Sequence, residues 1–457
     1  MFDIDIIDTS SLGDRSYLLT DGSVAAVIDP QRDIDRILDA AAKRDVRITH
    51  VLETHIHNDY VTGGLELSRT LAADYVIAAA DDVAFDRTPI SDGDIVPVGQ
   101  MRLQALHTPG HTHHHLSYAL RTETGDVQAV FTGGSMLYGA TGRTDLVSPD
   151  DTDALTHAQY RSVQRLAAEL PEDAQVLPTH GFGSFCSATP TSGDQSTIGE
   201  QRHVNPALTK PEQDFVDELI AGLGAYPAYY VHMMPLNSAG PEPIDLSMPE
   251  PVDADEVRSR IDDGEWVVDL RSRTAFAAGH LAGSLSFELS NNFVTYLGWL
   301  RPWGAPLTLL GTEQDVLTGR RELARIGVDR LRGASVGDPV TGVPASELRS
   351  YPVTDFAGLA HALAHGQVHV LDTRRDDERA QAAIPGSQHI PLHELLDRRD
   401  EVPTSEVWVH CGSGYRAGIA ASLLDDGTRS IIHIDDSFEH AQYLGLSEPP
   451  DSTSTTS

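Results

Sequence analysis

The sequence predicts an α/β fold in three domains: a strand-rich first domain over residues 1–235, a linker at 236–251, and two copies of a smaller α/β domain at 252–347 and 351–447, with a disordered tail at 448–457. Three observations carry this reading. The chain has 457 residues, about three domains at roughly 150 residues each. Short apolar runs alternate with helical stretches through its first half. Two groups of motifs in its second half recur at one fixed offset.

The elements follow in order. Phe2–Ile7, Tyr17–Thr20 and Val24–Ile28 read as strands, and Ile34–Lys43 as a helix. Ile48–Leu52 is a buried strand running into Thr54-His-Ile-His-Asn-Asp-Tyr60. Further strands are expected at Tyr75–Ala78, Arg102–His107 and Val127–Thr132. The Pro-rich stretch Tyr226–Pro251 reads as the linker. Beyond it, Asp269-Leu-Arg271 and Asp372-Thr-Arg374 stand 103 positions apart, as do Leu281-Ala-Gly-Ser284 and Ile384-Pro-Gly-Ser387. One offset shared by separate motifs indicates a duplicated domain.

Composition narrows the function. The net charge is −35, and the only lysines are Lys43 and Lys210. Such a surface repels phosphate backbones, so nucleic acid is excluded as a partner. Its acid-rich, lysine-poor character resembles that of proteins from salt-loving organisms. No run of 18 apolar residues is present, which excludes a spanning helix and a membrane partner. The first residues lack the basic and apolar regions of a signal peptide. The two cysteines, Cys186 and Cys411, are too few for a disulfide framework, and the expected location is the cytoplasm.

Histidines gather at three strand ends: His55 and His57, the run His107 to His115 with His111 at its centre, and His180. A rigid strand aims side chains into the crevice at its C-terminal edge, where metal ligands commonly lie. One isolated histidine would be a polar loop residue; three clusters in one domain point to a metal.

These elements, THxHxD, TPGHT, FTGG, GRTDL and THGFGS, resemble the metallo-β-lactamase fold, and within it the persulfide dioxygenase and glyoxalase II branch. The resemblance implies an αββα sandwich with the metal at one sheet edge. Position by position, His55, His57 and His111 match the first metal site, and Asp59 and His180 match ligands of the second. Two departures matter: Tyr60 stands where the family has histidine, and Gly134 where it has the aspartate that bridges two ions or completes an iron triad. A two-metal hydrolase is disfavoured on both counts. The remaining set implies one Fe(II) per chain, with zinc as the alternative. Asp59, Asp145 or one of His113–His115 could serve as a surrogate ligand, and a metal-free remnant is the competing reading. Arg143 falls where the family keeps a substrate-binding basic residue, against a structural pair with Asp145. Tyr60 either adds a ligand or supporting hydroxyl beside the metal, as Asp59 and His180 would, or merely packs, with packing the stronger expectation, and Cys186 is expected to be a small buried side chain.

Near the C-terminus, an apolar strand feeds Cys411-Gly412-Ser413-Gly414-Tyr415-Arg416 and then a helix. The glycines allow the loop N–H groups to turn inward as an anion-binding concavity, and the helix N-terminus and Arg416 add positive charge. All three favour a nucleophilic thiolate. The loop, with Asp372, Arg374 and Ile384–Pro391, resembles rhodanese-type sulfurtransferases. The earlier copy keeps that framework but has no cysteine anywhere between residues 187 and 410, so it reads as an inactive rhodanese-like domain.

The fold expected is therefore an N-terminal αββα metallo-β-lactamase sandwich followed by two rhodanese-like α/β domains. The function expected is persulfide oxidation to sulfite at a mononuclear iron, coupled to sulfur transfer through Cys411. The partners are a low-molecular-weight thiol, its persulfide or thiosulfate, and O2; the resemblance alone implies a homo-oligomer. The alternatives are a sulfurtransferase whose metal domain does not oxidise, and a single-zinc glyoxalase II-like thioester hydrolase.

Overall fold

Every residue of the strand Asp14–Thr20 is buried, which a strand achieves only when both faces of its sheet are covered. Tyr17 and Leu19 point to one side, into a cluster with Phe131 and Leu177; Leu18 points to the other, against Ile37 and Ala41. This alternation sets the architecture of the first of two compact units. The structure, a computed structural model, describes residues 2–188, 191 and 193–448; beyond Glu448 the expected tail lies outside the described residues. One unit comprises the chain up to Asp245 together with Arg321–Asp329, and the other Leu246–Arg320 together with the chain from Arg330 onward.

In the first unit β1 (Asp3–Thr9), β2 (Asp14–Thr20), β3 (Val24–Ile28), β4 (Arg47–Leu52), β5 (Asp74–Ala78) and β6 (Thr88–Ile90) form a sheet in sequence order. A second sheet holds β7 (Ile95–Val98), β8 (Met101–His107), β9 (Leu116–Arg121), β10 (Val127–Gly133), β11 (Gln175–Pro178) and β12 (Ser196–Thr197), again as neighbours in sequence order. The two inner faces share one core, where the Tyr17 and Phe131 rings meet at 5.2 Å. Truncating Phe131 to alanine would cost about 3–5 kcal/mol. The helices Asp35–Arg44 and Gly64–Leu71 bury apolar faces outside the first sheet, and Thr152–Glu169 and Glu212–Gly222 outside the second. The result is the expected αββα sandwich.

Two expectations are corrected. Strand β2 starts at Asp14 rather than Tyr17, because its polar residues have buried partners: Asp14 reaches His180 and Ser16 donates to the Asp29 carbonyl at 2.7 Å. The Pro-rich stretch is also not wholly a linker. Tyr230–Ala239 is a helix that accommodates Pro235, and its Asn237 is buried. Proline argues against a helix interior but is outweighed by the packing of such side chains.

The second unit repeats one plan. Strands β13 (Trp266–Asp269), β15 (Leu285–Ser286), β16 (Leu307–Gly311) and β17 (Gly333–Val336) form a parallel sheet in the order β15-β13-β16-β17. Between them β14 (His280–Leu281) pairs with β18 (Leu348–Arg349). Then β19 (Val353–Thr354), β20 (His369–Asp372), β21 (Gln388–His389), β22 (Glu406–His410) and β23 (Ser430–Ile434) form a parallel sheet in the order β19-β23-β22-β20-β21.

The shared motifs do the same work in each copy. Arg271 pairs with Asp269 and donates to the Gly279 carbonyl at 2.9 Å; Arg374 pairs with Asp372 and donates to the Ala382 carbonyl at 2.8 Å. Ser284 and Ser387 each donate to the carbonyl three residues back. The copies also hold each other, through Arg273 on Asp435 at 2.6 Å, His280 on Asp425 at 3.0 Å and the Tyr415 hydroxyl on the Glu288 carbonyl at 3.1 Å. Among the described residues no helix is long and apolar enough to cross a membrane.

Candidate metal centre and cysteine loop

Turns after β3, β4, β8, β10 and β11 converge on one edge of the sandwich. His55 and His57 follow β4, His111 follows β8 and His180 follows β11, all buried. The His55 ring lies 4.2 Å from that of His57, 4.8 Å from His111 and 5.3 Å from His180, between centroids. One ligand atom each of His55, His57 and His180 falls within 4.8 Å of the others, and the Nε2 atoms of His55 and His180 are 3.4 Å apart.

The surroundings decide which nitrogen each ring presents. His111 Nδ1 donates to the Arg143 carbonyl at 2.8 Å, leaving Nε2 buried with no partner. His57 Nε2 is taken up by the Tyr60 hydroxyl at 2.9 Å, Glu53 at 3.2 Å and Asp29 at 3.3 Å, leaving Nδ1 buried with no partner. Burial, reinforced by neighbouring imidazoles, pulls His55 well below the usual histidine range and His111 down to about 3, so both rings are neutral. Burial pulls on His57 too, but Asp29 and Glu53 outweigh it and hold the ring at about 9. His55 and His111, buried and neutral, are donors of the kind a transition metal takes, and His57 would shed a proton on joining them. The site therefore fits an ion on its own terms.

A set of acids braces the ligands. Asp29, in a left-handed turn at φ 48°, accepts from the Thr54 amide and hydroxyl, each at 2.7 Å, and from the Thr179 hydroxyl. It thereby ties the ends of β3, β4 and β11 together. Asp14 and Asp59 hold His180 Nδ1 at 2.9 and 3.1 Å. Asn237 Nδ2 donates to the His57 carbonyl at 3.0 Å and the Tyr60 carbonyl at 2.9 Å. Sequence reasoning missed Asp14, Asp29, Glu53 and Asn237, and named His115 only as one of three possible surrogate ligands. A signal existed for Asp29 and Glu53, each placed directly after an apolar strand; none existed for Asn237, inside a proline-rich stretch.

Several expectations change. Tyr60 does more than pack, since its ring stacks on His57 at 4.3 Å and its hydroxyl bonds it. Arg143 is spent on Asp145 through two contacts at 2.7 and 2.8 Å and on backbone carbonyls, so neither is an open substrate fork or a surrogate ligand. His113 and His114 face outward to Asp151 and Asp81. His115 accepts the Gly134 N–H at 3.1 Å and so secures the turn that lacks the carboxylate. His180, expected as an accessory, belongs to three of the clusters of potential ligands.

In the second unit, β22 delivers Cys411 to the carboxyl edge of its sheet, and Gly414, at φ 86°, starts the helix Tyr415–Leu424. A side chain at 414 would meet Asp435 Oδ1 at 2.1 Å, which demands glycine there. The Gly412 carbonyl accepts from Phe438 N and the Gly414 carbonyl bonds His433, each at 2.9 Å. Arg416 donates both ends of its fork to Glu378 at 2.5 and 2.6 Å. Ser413 and Tyr415 complete the turn, with Cys411 itself buried. In the earlier copy β16 passes through Thr312 straight into the helix Glu313–Arg325, with no such loop.

Comparison with known proteins matches these two sites. A family described as the metallo-beta-lactamase superfamily matches residues 14–180, and one described as the rhodanese-like domain matches residues 356–442. Over 205 residues the chain is 30% identical to the mitochondrial persulfide dioxygenase ETHE1 of Homo sapiens, covering 44% of this chain and 74% of that protein. Over 172 residues it is 33% identical to the cytoplasmic hydroxyacylglutathione hydrolase of Arabidopsis thaliana, covering 36% of this chain and 63%, under two thirds, of that one. A solved metallo-beta-lactamase from Staphylococcus aureus is similar with a TM-score of 0.66 and 26% identity, covering 74% of this chain and 99% of its own.

Proposed function

The chain belongs to the hydrolase and dioxygenase family of the metallo-beta-lactamase superfamily and carries a C-terminal rhodanese-like domain, and from that membership we propose that it oxidises the sulfane sulfur of a low-molecular-weight persulfide and transfers sulfane sulfur through Cys411. The observation that carries the oxidising half is the pair of buried, unpartnered nitrogens, His57 Nδ1 and His111 Nε2, beside His55 and His180. His55, His57 and His111 would hold the ion, with Asp59 and His180 beside them. Fe(II) there would supply the redox chemistry that dioxygen needs to react with a closed-shell sulfur nucleophile, and zinc would not.

The chain's own residues prepare that site. Burial keeps His55 and His111 unprotonated, while Tyr60, Glu53 and Asp29 orient His57 through its far nitrogen. The overall reaction consumes one persulfide, one O2 and one water and yields the parent thiol, sulfite and two protons. At the second site the Cys411 thiolate attacks the outer sulfur of thiosulfate, releasing sulfite and leaving a cysteine persulfide; a small thiolate then takes that sulfur and restores Cys411. The loop N–H groups and the helix N-terminus favour the anions at both stages. Two sites on one chain raise the effective concentration of the shared persulfide.

Oxygen uptake by the iron-loaded chain, in high salt, on adding a low-molecular-weight persulfide is the test. Uptake with sulfite formation, lost in His55→Ala, is expected. Bound metal and working Cys411 without uptake would leave a sulfurtransferase with a non-oxidising metal domain. Turnover of an acyl-glutathione thioester with zinc and no oxygen demand would favour the hydrolase reading.

A further inference from the structure

We infer that Cys186 joins His111 and His180 as a ligand to the metal of the first unit, supplying a thiolate where Gly134 provides no carboxylate; this rests on the metal-binding part of the reading above and moves His180 from beside the ion into the set that holds it. Cys186 is fully buried, and its sulfur and one ring nitrogen each of His111 and His180 lie within 4.8 Å of one another. A tetrahedral site with metal–nitrogen bonds of about 2.0 Å and a metal–sulfur bond of about 2.3 Å has donor–donor edges of about 3.5 Å, so no pair of the three needs to draw in by more than about 1.3 Å.

His111 Nε2 is buried with no partner, and the Cys186 thiol meets the Asp59 carboxylate, a second group beside the histidines. An orphaned donor such as the His111 nitrogen is costly in a dry place unless something binds it. The backbone of Arg143 places the two nearest ligands together: its carbonyl accepts His111 Nδ1, and its N–H donates to the Cys186 carbonyl, both at 2.8 Å. Ser184 Oγ fixes the Cys186 N–H at 3.2 Å, and residue 187 pairs with Gly142. Gly142 has to be side-chain-free, because a Cβ would lie 2.8 Å from His111 Nδ1 and 2.3 Å from the Gly134 carbonyl.

The same ring explains why the ligand comes from elsewhere. A Cβ at Gly134 would lie 2.2 Å from His111 Cδ2 and 2.8 Å from its Nε2. With His111 where it is, a carboxylate from position 134 has no room, whereas Cys186 approaches across a different turn. Soft thiolate beside imidazole is a combination that zinc and iron both accept.

Cobalt(II) loading of the full chain tests this, with bound metal quantified and the near-ultraviolet spectrum recorded. The chain has two cysteines, so in Cys411→Ser only Cys186 can supply a thiolate. Stoichiometric cobalt with an intense thiolate-to-cobalt charge-transfer band is expected in both the parent and Cys411→Ser, with the band lost in Cys186→Ser. Cobalt bound by Cys411→Ser without that band would overturn the proposal and leave the metal reading standing. Failure of any variant, and of the parent, to bind cobalt would sink both. Should Cys186→Ser fail to fold, the spectrum of Cys411→Ser decides alone.

Discussion

The side-chain amide of Asn237 donates to the carbonyl of His57 at 3.0 Å, from a helix far along the sequence from the histidine it steadies. Its oxygen accepts from the Thr62 N–H at 3.0 Å, so one side chain closes the loop that carries His57, Asp59 and Tyr60. Asn237→Ala leaves these groups buried and unpaired, and a loss of about 1–3 kcal/mol for each is expected. Metal affinity should fall about 10- to 100-fold. Thermal unfolding and a metal titration check this, and unchanged affinity would remove Asn237 from the site.

Gly134→Asp is expected to lower metal content. Its Cβ would collide with the His111 ring at 2.2 Å, and both atoms belong to rigid groups. Gly134→Ala should show the same defect without adding a charge. Metal analysis of both variants is the check; a higher iron content in the aspartate variant would refute the steric argument.

Glu378 holds both ends of the Arg416 guanidinium, so on the proposed sulfur-transfer reading it would compete with an anionic substrate for that residue. Glu378→Gln weakens that pair and should lower the KM for thiosulfate several-fold while leaving first-unit metal unchanged. Cys411→Ser should abolish transfer altogether. Steady-state thiosulfate:thiol assays separate the two.

His410 lies fully buried against Phe356 and Phe438, and burial pulls its imidazole down to about 4. Unfolded, it would titrate near 6.5, so the unfolded state binds more protons between these values. Its contribution is therefore complete above about 6.5 and lost as pH falls toward 4, by on the order of 3 kcal/mol. Denaturant unfolding of the second unit from pH 7 to pH 4 should show this loss, and His410→Phe should flatten it. His433, also depressed by burial, contributes in the same direction.

Much of the fold was legible from residue patterns. The apolar run Tyr17–Thr20 placed a strand, which the structure covers on both faces, and the repeat linking Asp269 to Asp372 reappears as the same Arg-on-Asp clamp in two sheets. The histidines at strand ends were visible because strand and ligand are adjacent in sequence. The helix around Pro235 was not, since a local rule against proline was outweighed by packing.

The sequence by itself determined the strand periods, the duplicated framework, the Cys411 loop and the identity of the histidines, because each depends on residues a few positions apart. Only the tertiary structure decided which nitrogen each histidine presents, that Arg143 is spent on Asp145 and Arg416 on Glu378, and that Cys186 lies beside His111 and His180. Those outcomes turn on partners as distant in the chain as Asn237 from His57, and hydrogen-bond direction and burial exist only once such partners meet.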